Sequence, residues 1–436
     1  MKRIIEKKML EWVNSKRRKP LIIRGARQVG KTWLVENCLA DSFEHFIRID
    51  LEKQTQLHAA FSGELSPLRI IDELESYVGR IIPGKMLLFI DEIQACPRAI
   101  TALRYFYEEM PQLHVVAAGS MLEFAFGEIS VPVGRVQYLH ISPMTFYEYL
   151  LAMNKEVLAE KLLKHPREHS EVVGRAINEQ LKNYIFVGGM PEAVKAYRDT
   201  HSKLEAYEIH SEILESYRED FSQYCPHLNP AFLDGVFEGA SKAIGQQVKY
   251  TKLYSEASGV TNRKAFDLLC RTKLLHRIQS CDPSGLPLGA SCGKKFKTCM
   301  LDIGLLGRLS NMDVAAEWNQ ENLLAIYRGR LAEQFVAQEL LAWHSRKLYY
   351  WSRNAKNSNA EVDYLIVHKG SIYPIEVKSG PAGRLKSLHM CLGKYPNCPQ
   401  GWVLQDGPYR ELPEQKLIFW PLYATPQLGN REQLLL

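Results

Sequence analysis

At 436 residues the chain is too long for a single hydrophobic core, and its length corresponds to about three domains. With 46% hydrophobic and 24% charged residues the composition is that of an ordinary globular chain and argues against a long disordered tract, and a net charge of +6 permits nucleic-acid contact without demanding it. No apolar run approaches the ~18 residues needed to cross a bilayer, and no signal-peptide core opens the chain, so no membrane partner is expected. Nine scattered cysteines without close pairing argue against a disulfide scaffold and for a reduced, cytoplasmic chain. Cys292 and Cys299 lack a CxxC pair and a fitting histidine, and read as buried thiols rather than half a metal site. The segment Lys2 to Lys19, with eight Lys or Arg against two Glu, has the pattern of a solvated amphipathic helix face.

The apolar strand Leu21-Ile22-Ile23 leads directly into Gly25-Ala26-Arg27-Gln28-Val29-Gly30-Lys31-Thr32, a complete GxxxxGK[ST] phosphate loop. Its glycines let successive N–H groups face one point, and a helix over 31–39 would aim its positive end at bound phosphates. Lys31 would reach the β- and γ-phosphates of ATP, and the Thr32 hydroxyl would hold Mg²⁺. Phe46 to Leu51 reads as a further strand. Met86-Leu87-Leu88-Phe89-Ile90 is a wholly apolar strand ending in Asp91-Glu92, as expected of a central parallel strand whose tip faces a nucleotide. Asp91 would hold Mg²⁺ through its water shell, and Glu92 would orient or deprotonate the attacking water. A strand over Leu113 to Ala118 ends at Gly119-Ser120, where Ser120 is a candidate sensor hydroxyl or a plain strand-end turn. Gly134-Arg135 precedes another β-prone run. Arg135 is a candidate finger on transition-state charge, in cis or from a neighbouring subunit of a homo-oligomer, or a structural ion-pair partner. Helical patterns at 67–79 and 97–109 complete an α/β alternation.

Beyond residue 141 the pattern turns helical, the composition of a lid over the nucleotide. Tyr184 to Glu192 interrupts it with paired glycines and with Pro191 at the start of a new helix. From Ala243 to Leu301 the order is that of a winged helix-turn-helix. A short helix Lys252 to Ala257 leads through Ser258-Gly259-Val260 to a second helix capped by Thr261, whose first turn points Asn262, Arg263 and Lys264 outward. A hairpin of Leu274 to Gln279 and Phe296 to Met300 follows, with Lys294, Lys295 and Lys297 on the wing. Such a module contacts DNA or another protein.

A second chemical signal lies near the C-terminus. Tyr327 to Val336 begins a helix carrying Glu333, followed by strands Glu361 to Val367 and Ile372 to Lys378. Asp363 lies at the start of the first strand. Glu376 and Lys378, two apart on the second, leave from one face. This is the order of a PD-(D/E)xK nuclease core, in which Glu333, Asp363 and Glu376 would bind a divalent metal and Lys378 would position water or offset charge. The alternative is a satisfied carboxylate–lysine cluster in a scaffold without activity; Glu361 is an extra ligand or an exposed strand residue.

Taken together, Gly25 to Thr32, Leu88-Phe-Ile-Asp-Glu-Ile-Gln94, Gly119-Ser120, Gly134-Arg135, Gly188-Gly-Met-Pro-Glu192, Leu301-Asp-Ile-Gly-Leu305, Gly329-Arg330, Glu361-Val-Asp363 and Ile375-Glu-Val-Lys-Ser379 carry a family resemblance. The chain resembles the prokaryotic AAA-type ATPases of the archaeal-ATPase-like branch that end in an uncharacterised domain related to restriction endonucleases. The resemblance implies an α/β fold: a P-loop AAA-type parallel sheet at 1–140, a helical lid and linker at 141–240, a winged helix at 241–310 and a PD-(D/E)xK-like domain at 320–436. The expected function is ATP binding and hydrolysis with Mg²⁺, the nucleotide state controlling a DNA-directed nuclease-like domain. The alternative is a nucleotide-gated regulatory or DNA-binding protein whose nuclease-like domain is inactive.

Overall fold

The computed structural model describes residues 1–119, 122, 134–224, 229–310, 324–344, 347–353, 360–378 and 385–428. The chain divides into two compact units, residues 2–142 with 271–273, and residues 143–270 with 274–436.

The first unit is built on a five-stranded sheet whose strands are all parallel. In chain order they are β1 (Leu21–Arg24), β2 (His45–Asp50), β3 (Met86–Asp91), β4 (His114–Ala118) and β5 (Gln137–His140). Their spatial order is β2-β3-β4-β1-β5. The interior strands β3 and β4 are buried at every position, as their uninterrupted apolar runs require when helices cover both faces. Two flanking helices, Pro67–Val78 and Pro97–Glu109, begin with a proline whose missing N–H costs nothing in the first turn. Each turns an apolar stripe to the sheet: Ile70, Ile71 and Leu74 from the first, Ala99, Ile100, Leu103 and Phe106 from the second. The strands expected in this region, and the helices expected at 67–79 and 97–109, are present to within a residue or two.

The basic N-terminal segment is only partly a solvated face. Arg3 is buried and donates to the carbonyls of Val29 (3.1 Å) and Ser142 (2.6 Å), which fastens the chain start to the phosphate loop. Lys19 donates to Gly134 O at 2.6 Å.

The second unit carries helices at Phe146–Ala152, Glu156–Leu162, Glu171–Val187, Pro191–Thr200, Lys203–Tyr224 and Pro230–Lys242, then Gly259–Arg271, Ile303–Leu309 and Leu324–Trp343. Its sheet has eight strands: β6 (Leu275–Cys281), β7 (Cys292–Met300), β8 (Tyr349–Ser352), β9 (Glu361–His368), β10 (Ser371–Lys378), β11 (Gly401–Gln405), β12 (Arg410–Leu412) and β13 (Leu417–Pro421), in the order β12-β13-β11-β10-β9-β8-β6-β7. The hairpin expected as a free wing is therefore the edge of the C-terminal sheet, joined to it by parallel pairing of β6 with β8. Cys281 and Cys292 face each other across this hairpin and form a disulfide, contrary to the expectation of wholly reduced thiols. They stand 11 positions apart in sequence, and only the strand register brings them opposite.

Three more details of the middle module differ from the sequence reading. The stretch expected as a helix from Lys252 is a single turn, Tyr250–Lys252. Ser258, rather than Thr261, caps the helix Gly259–Arg271, its Oγ accepting from Thr261 N at 3.1 Å. Asn262 does not point outward: it is buried and donates to the carbonyls of Tyr250 (2.8 Å) and Tyr254 (2.9 Å). Arg263 and Lys264 are exposed as expected.

Two of the motifs that carried the family resemblance meet in one buried joint of this unit. Asp302 accepts from Gly304 N (2.9 Å), Leu305 N (3.2 Å), Gly189 N (2.6 Å) and Gln338 Nε2 (3.2 Å). The fit excludes side chains at the paired glycines, since a Cβ on Gly188 would stand 2.3 Å from Asp302 Oδ1 and one on Gly189 2.0 Å from Met144 O.

Candidate functional site

In the first unit the phosphate loop follows β1, the strand flanked by β4 and β5, at the carboxyl edge of the sheet where such folds bind ligands. Gln28 and Gly30 adopt left-handed backbone (φ 64° and 89°), which curls the loop before the helical turn Lys31–Leu34. Instead of one regular helix to 39, the chain widens into a π-helical turn at Val35–Leu39. Gly25 is required by close approach, because a Cβ there would lie 2.5 Å from Ile141 O.

Lys31 is buried, and its Nζ donates to the carbonyls of Gly25 (3.2 Å) and Ala26 (2.8 Å). Burial lowers its pKa to about 8, against the pull of Glu92 and Asp91. An ammonium held so far from water gains strongly when a phosphate arrives. Thr32 Oγ1 donates to Asp91 Oδ2 at 3.0 Å, so the two groups expected to share Mg²⁺ are already side by side. Burial raises the pKa of Asp91. The residues fit the ion: a hydroxyl and a carboxylate next to an anion cradle are hard oxygen ligands of the kind Mg²⁺ takes, with its remaining positions left to water and phosphate.

Sequence reasoning missed two neighbours. Arg48 on β2 reaches Asp91 Oδ2 at 2.9 Å and Glu36 Oε1 at 2.7 Å. A single charge in a short strand gives no signal of its own; only the parallel pairing of β2 with β3 brings it to Asp91. Gln94 donates to Glu92 Oε2 at 2.6 Å, while Glu92 itself sits in left-handed backbone (φ 47°). Gly119 completes this contact, since a Cβ there would meet Gln94 Oε1 at 2.0 Å. Ser120 lies outside the described residues. Arg135 is placed at the opposite edge of the sheet. Gln137, two residues on, pairs with Leu21 at the start of β1, whereas the phosphate loop follows its end. The four residues of β1 span about 13 Å, and Arg135 Nε instead pairs with Glu108 at 3.0 Å. This removes the cis finger.

In the second unit, Glu333, Asp363, Glu376 and Lys378 do converge, on the long helix Leu324–Trp343 and on β9 and β10. Lys378 Nζ donates to Glu376 Oε1 at 2.6 Å, and Asp363 Oδ2 accepts from Val377 N at 2.9 Å. Burial, with Asp363 nearby, raises Glu376 to about 7. The unforeseen member is Lys297 on β7, expected on an exposed wing. Its ammonium lies 2.6 Å from Glu361 Oε1, 3.1 Å from Asp363 Oδ1 and 3.4 Å from Glu333 Oε2. Lys297 stays charged because the three carboxylates outweigh its burial. Burial, with Asp363 nearby, raises the pKa of Glu333, the farthest of the three, above the usual carboxylate range, while Lys297 pulls it back. The ammonium of Lys297 thus stands among the carboxylates expected to hold a divalent metal, and among the described residues no group of three or more His, Cys, Asp or Glu is placed to hold one.

A parallel sheet, a phosphate loop at its carboxyl edge and a Thr–Asp pair beside it are the features of a P-loop domain. The family profile of an AAA domain matches residues 17–150. Two further profiles match, each a domain of unknown function: DUF8612 over residues 178–316 and DUF4143 over residues 328–424. No curated protein matches the chain. Similar solved structures include the Walker-type ATPase PABY2304 of Pyrococcus abyssi, at 13% identity over 70% of this chain and 94% of that chain, with a TM-score of 0.45. A point variant of RuvB from Thermotoga maritima is similar at 17% identity over 63% of this chain and 88% of that chain, with a TM-score of 0.28. No helix among the described residues is long and apolar enough to cross a membrane.

Proposed function

We propose that the chain binds ATP with Mg²⁺ on residues 25–32, hydrolyses it, and uses the nucleotide state to control its C-terminal domain. The observation that carries the reading is the Thr32–Asp91 hydrogen bond of 3.0 Å beside a buried, loop-tethered Lys31. Thr32 and Asp91 would hold Mg²⁺, which would offset the phosphate charge. Lys31 would exchange its carbonyl partners for phosphate oxygens. Glu92, oriented by Gln94, would take the proton of the attacking water. Lys31→Ala should abolish ATP binding, and Glu92→Gln should bind ATP but turn it over about 10²-fold more slowly or worse, as loss of a general base does. Normal turnover by Glu92→Gln would remove Glu92 from this role. Arg135 enters catalysis only if it reaches the ATP of a neighbouring copy, and the molecular size measured with and without ATP tests for that assembly.

For the C-terminal domain two readings compete: a DNA-directed nuclease-like domain, and a regulatory or DNA-binding domain whose carboxylate–lysine cluster is structural. The placement of Lys297 among Glu333, Glu361 and Asp363 favours the second. Plasmid DNA incubated with the protein, ATP and Mg²⁺ or Mn²⁺ discriminates. Cleavage that disappears in Lys378→Ala would restore the nuclease reading.

A further inference from the structure

Lys297 belongs to no motif, yet its side chain is only 2% exposed at the centre of the C-terminal cluster. An ammonium has three N–H donors, and here three carboxylates surround it, one from the helix Leu324–Trp343 and two from β9. The outer oxygens are engaged as well. Glu361 Oε2 accepts from Gln247 Nε2 at 2.9 Å, and Asp363 Oδ2 from Val377 N at 2.9 Å. Gly245, at φ 77°, leaves room for Glu333, since a Cβ there would come within 3.0 Å of its Oε1. Nζ is within hydrogen-bond distance of Glu361 (2.6 Å) and Asp363 (3.1 Å) and makes a longer contact to Glu333 (3.4 Å), whereas Mg²⁺ holds oxygen at about 2.1 Å and demands octahedral geometry.

We propose that the ammonium of Lys297 is the resident cation of this cluster, occupying the place a hard divalent metal would take, so that the two exclude each other. Lys297 comes from the hairpin β6–β7, while the carboxylates come from the helix and β9. The hairpin therefore supplies the counter-charge that lets the carboxylates be buried. The inference concerns the second reading of the C-terminal domain and is independent of the ATPase reading, because none of its residues touches nucleotide chemistry.

The test is Mn²⁺ binding to the full-length protein without nucleotide, read from the electron paramagnetic resonance of the free ion. Asp363→Asn serves as the site control in each background, and any Mn²⁺ held near Thr32 and Asp91 persists in that control. Wild type should bind no Asp363-dependent Mn²⁺. Lys297→Met should gain such binding, together with a rise in melting temperature on adding Mn²⁺ that Asp363→Asn abolishes. Asp363-dependent Mn²⁺ in the wild type overturns the proposal, and so does a folded Lys297→Met that gains none. If Lys297→Met does not fold, the charge-balanced double variant Lys297→Met with Glu361→Gln is read by the same two criteria. If that also fails to fold, the wild-type titration decides by itself.

Discussion

Glu92, the proposed general base, is set by residues with no chemistry of their own. Its left-handed backbone, the 2.6 Å bond from Gln94 and the absence of a side chain at Gly119 form one arrangement. Gly119→Ala would drive a methyl into Gln94 Oε1 and release Glu92. ATP affinity should hold while kcat falls by about 10²-fold, and an unchanged kcat would show that Gln94 does not position the base. Glu339 makes a different prediction. It is fully buried, accepts from Phe146 N (2.8 Å) and Trp343 Nε1 (2.9 Å), and burial raises its pKa from 4.5 to about 8. The folded chain thus holds a proton that the unfolded chain releases above 4.5. The contribution to stability is complete below that value and is lost as pH rises to about 8, by up to about 1.4 kcal/mol per pH unit. Urea midpoints between pH 5 and 8 should fall in the wild type and fall less steeply in Glu339→Gln; parallel curves would contradict the assignment. Gln94 stood in the sequence only as the last letter of a motif, and Glu339 gave no signal, because its partner Phe146 is brought near by the fold alone.

At the scale of elements, the first unit was readable because its strands are local apolar runs with chemistry at their ends. The second unit was readable only in part, because its key contacts link distant segments. Gly188-Gly189 and Asp302 are more than a hundred residues apart; the glycines read as a turn before a helix and Asp302 as a motif letter without a job. The structure makes them one joint, in which Asp302 caps the helix Ile303–Leu309 and holds Gly189 and Gln338. Asp302→Ala removes the cap and strands buried donors, and should cost about 3 kcal/mol in chemical denaturation. A loss below about 1 kcal/mol would mean that water replaces the carboxylate. The hairpin departs from its sequence reading for a related reason: helix, turn and two strands spell a winged helix locally, but pairing of β6 with β8 makes it the margin of a larger sheet. That pairing also turned Lys297 from a surface base into a buried cation.

For the whole molecule, two compact units predict two unfolding transitions. ATP with Mg²⁺ at a hundredfold excess over Kd should stabilise the P-loop unit by about 2.7 kcal/mol. If nucleotide state controls the second unit, its transition must shift too, by a coupling free energy of about 1–3 kcal/mol. A second transition that ignores ATP in scanning calorimetry would leave the ATPase intact as a reading and end the idea of control.

The sequence by itself determined the phosphate loop, the strand-end carboxylates and the parallel α/β order around them, since all rest on short-range spacing and strand periodicity. It also determined that Glu333, Asp363, Glu376 and Lys378 would gather, because neighbouring strands and a single helix carry them. Only the tertiary structure decided what those groups face. It sent Arg135 to the edge of the sheet away from the loop and placed Arg48 on Asp91. It also closed the C-terminal cluster around Lys297, because the electrostatic partner of a buried charge is chosen by strand pairing and not by distance along the chain.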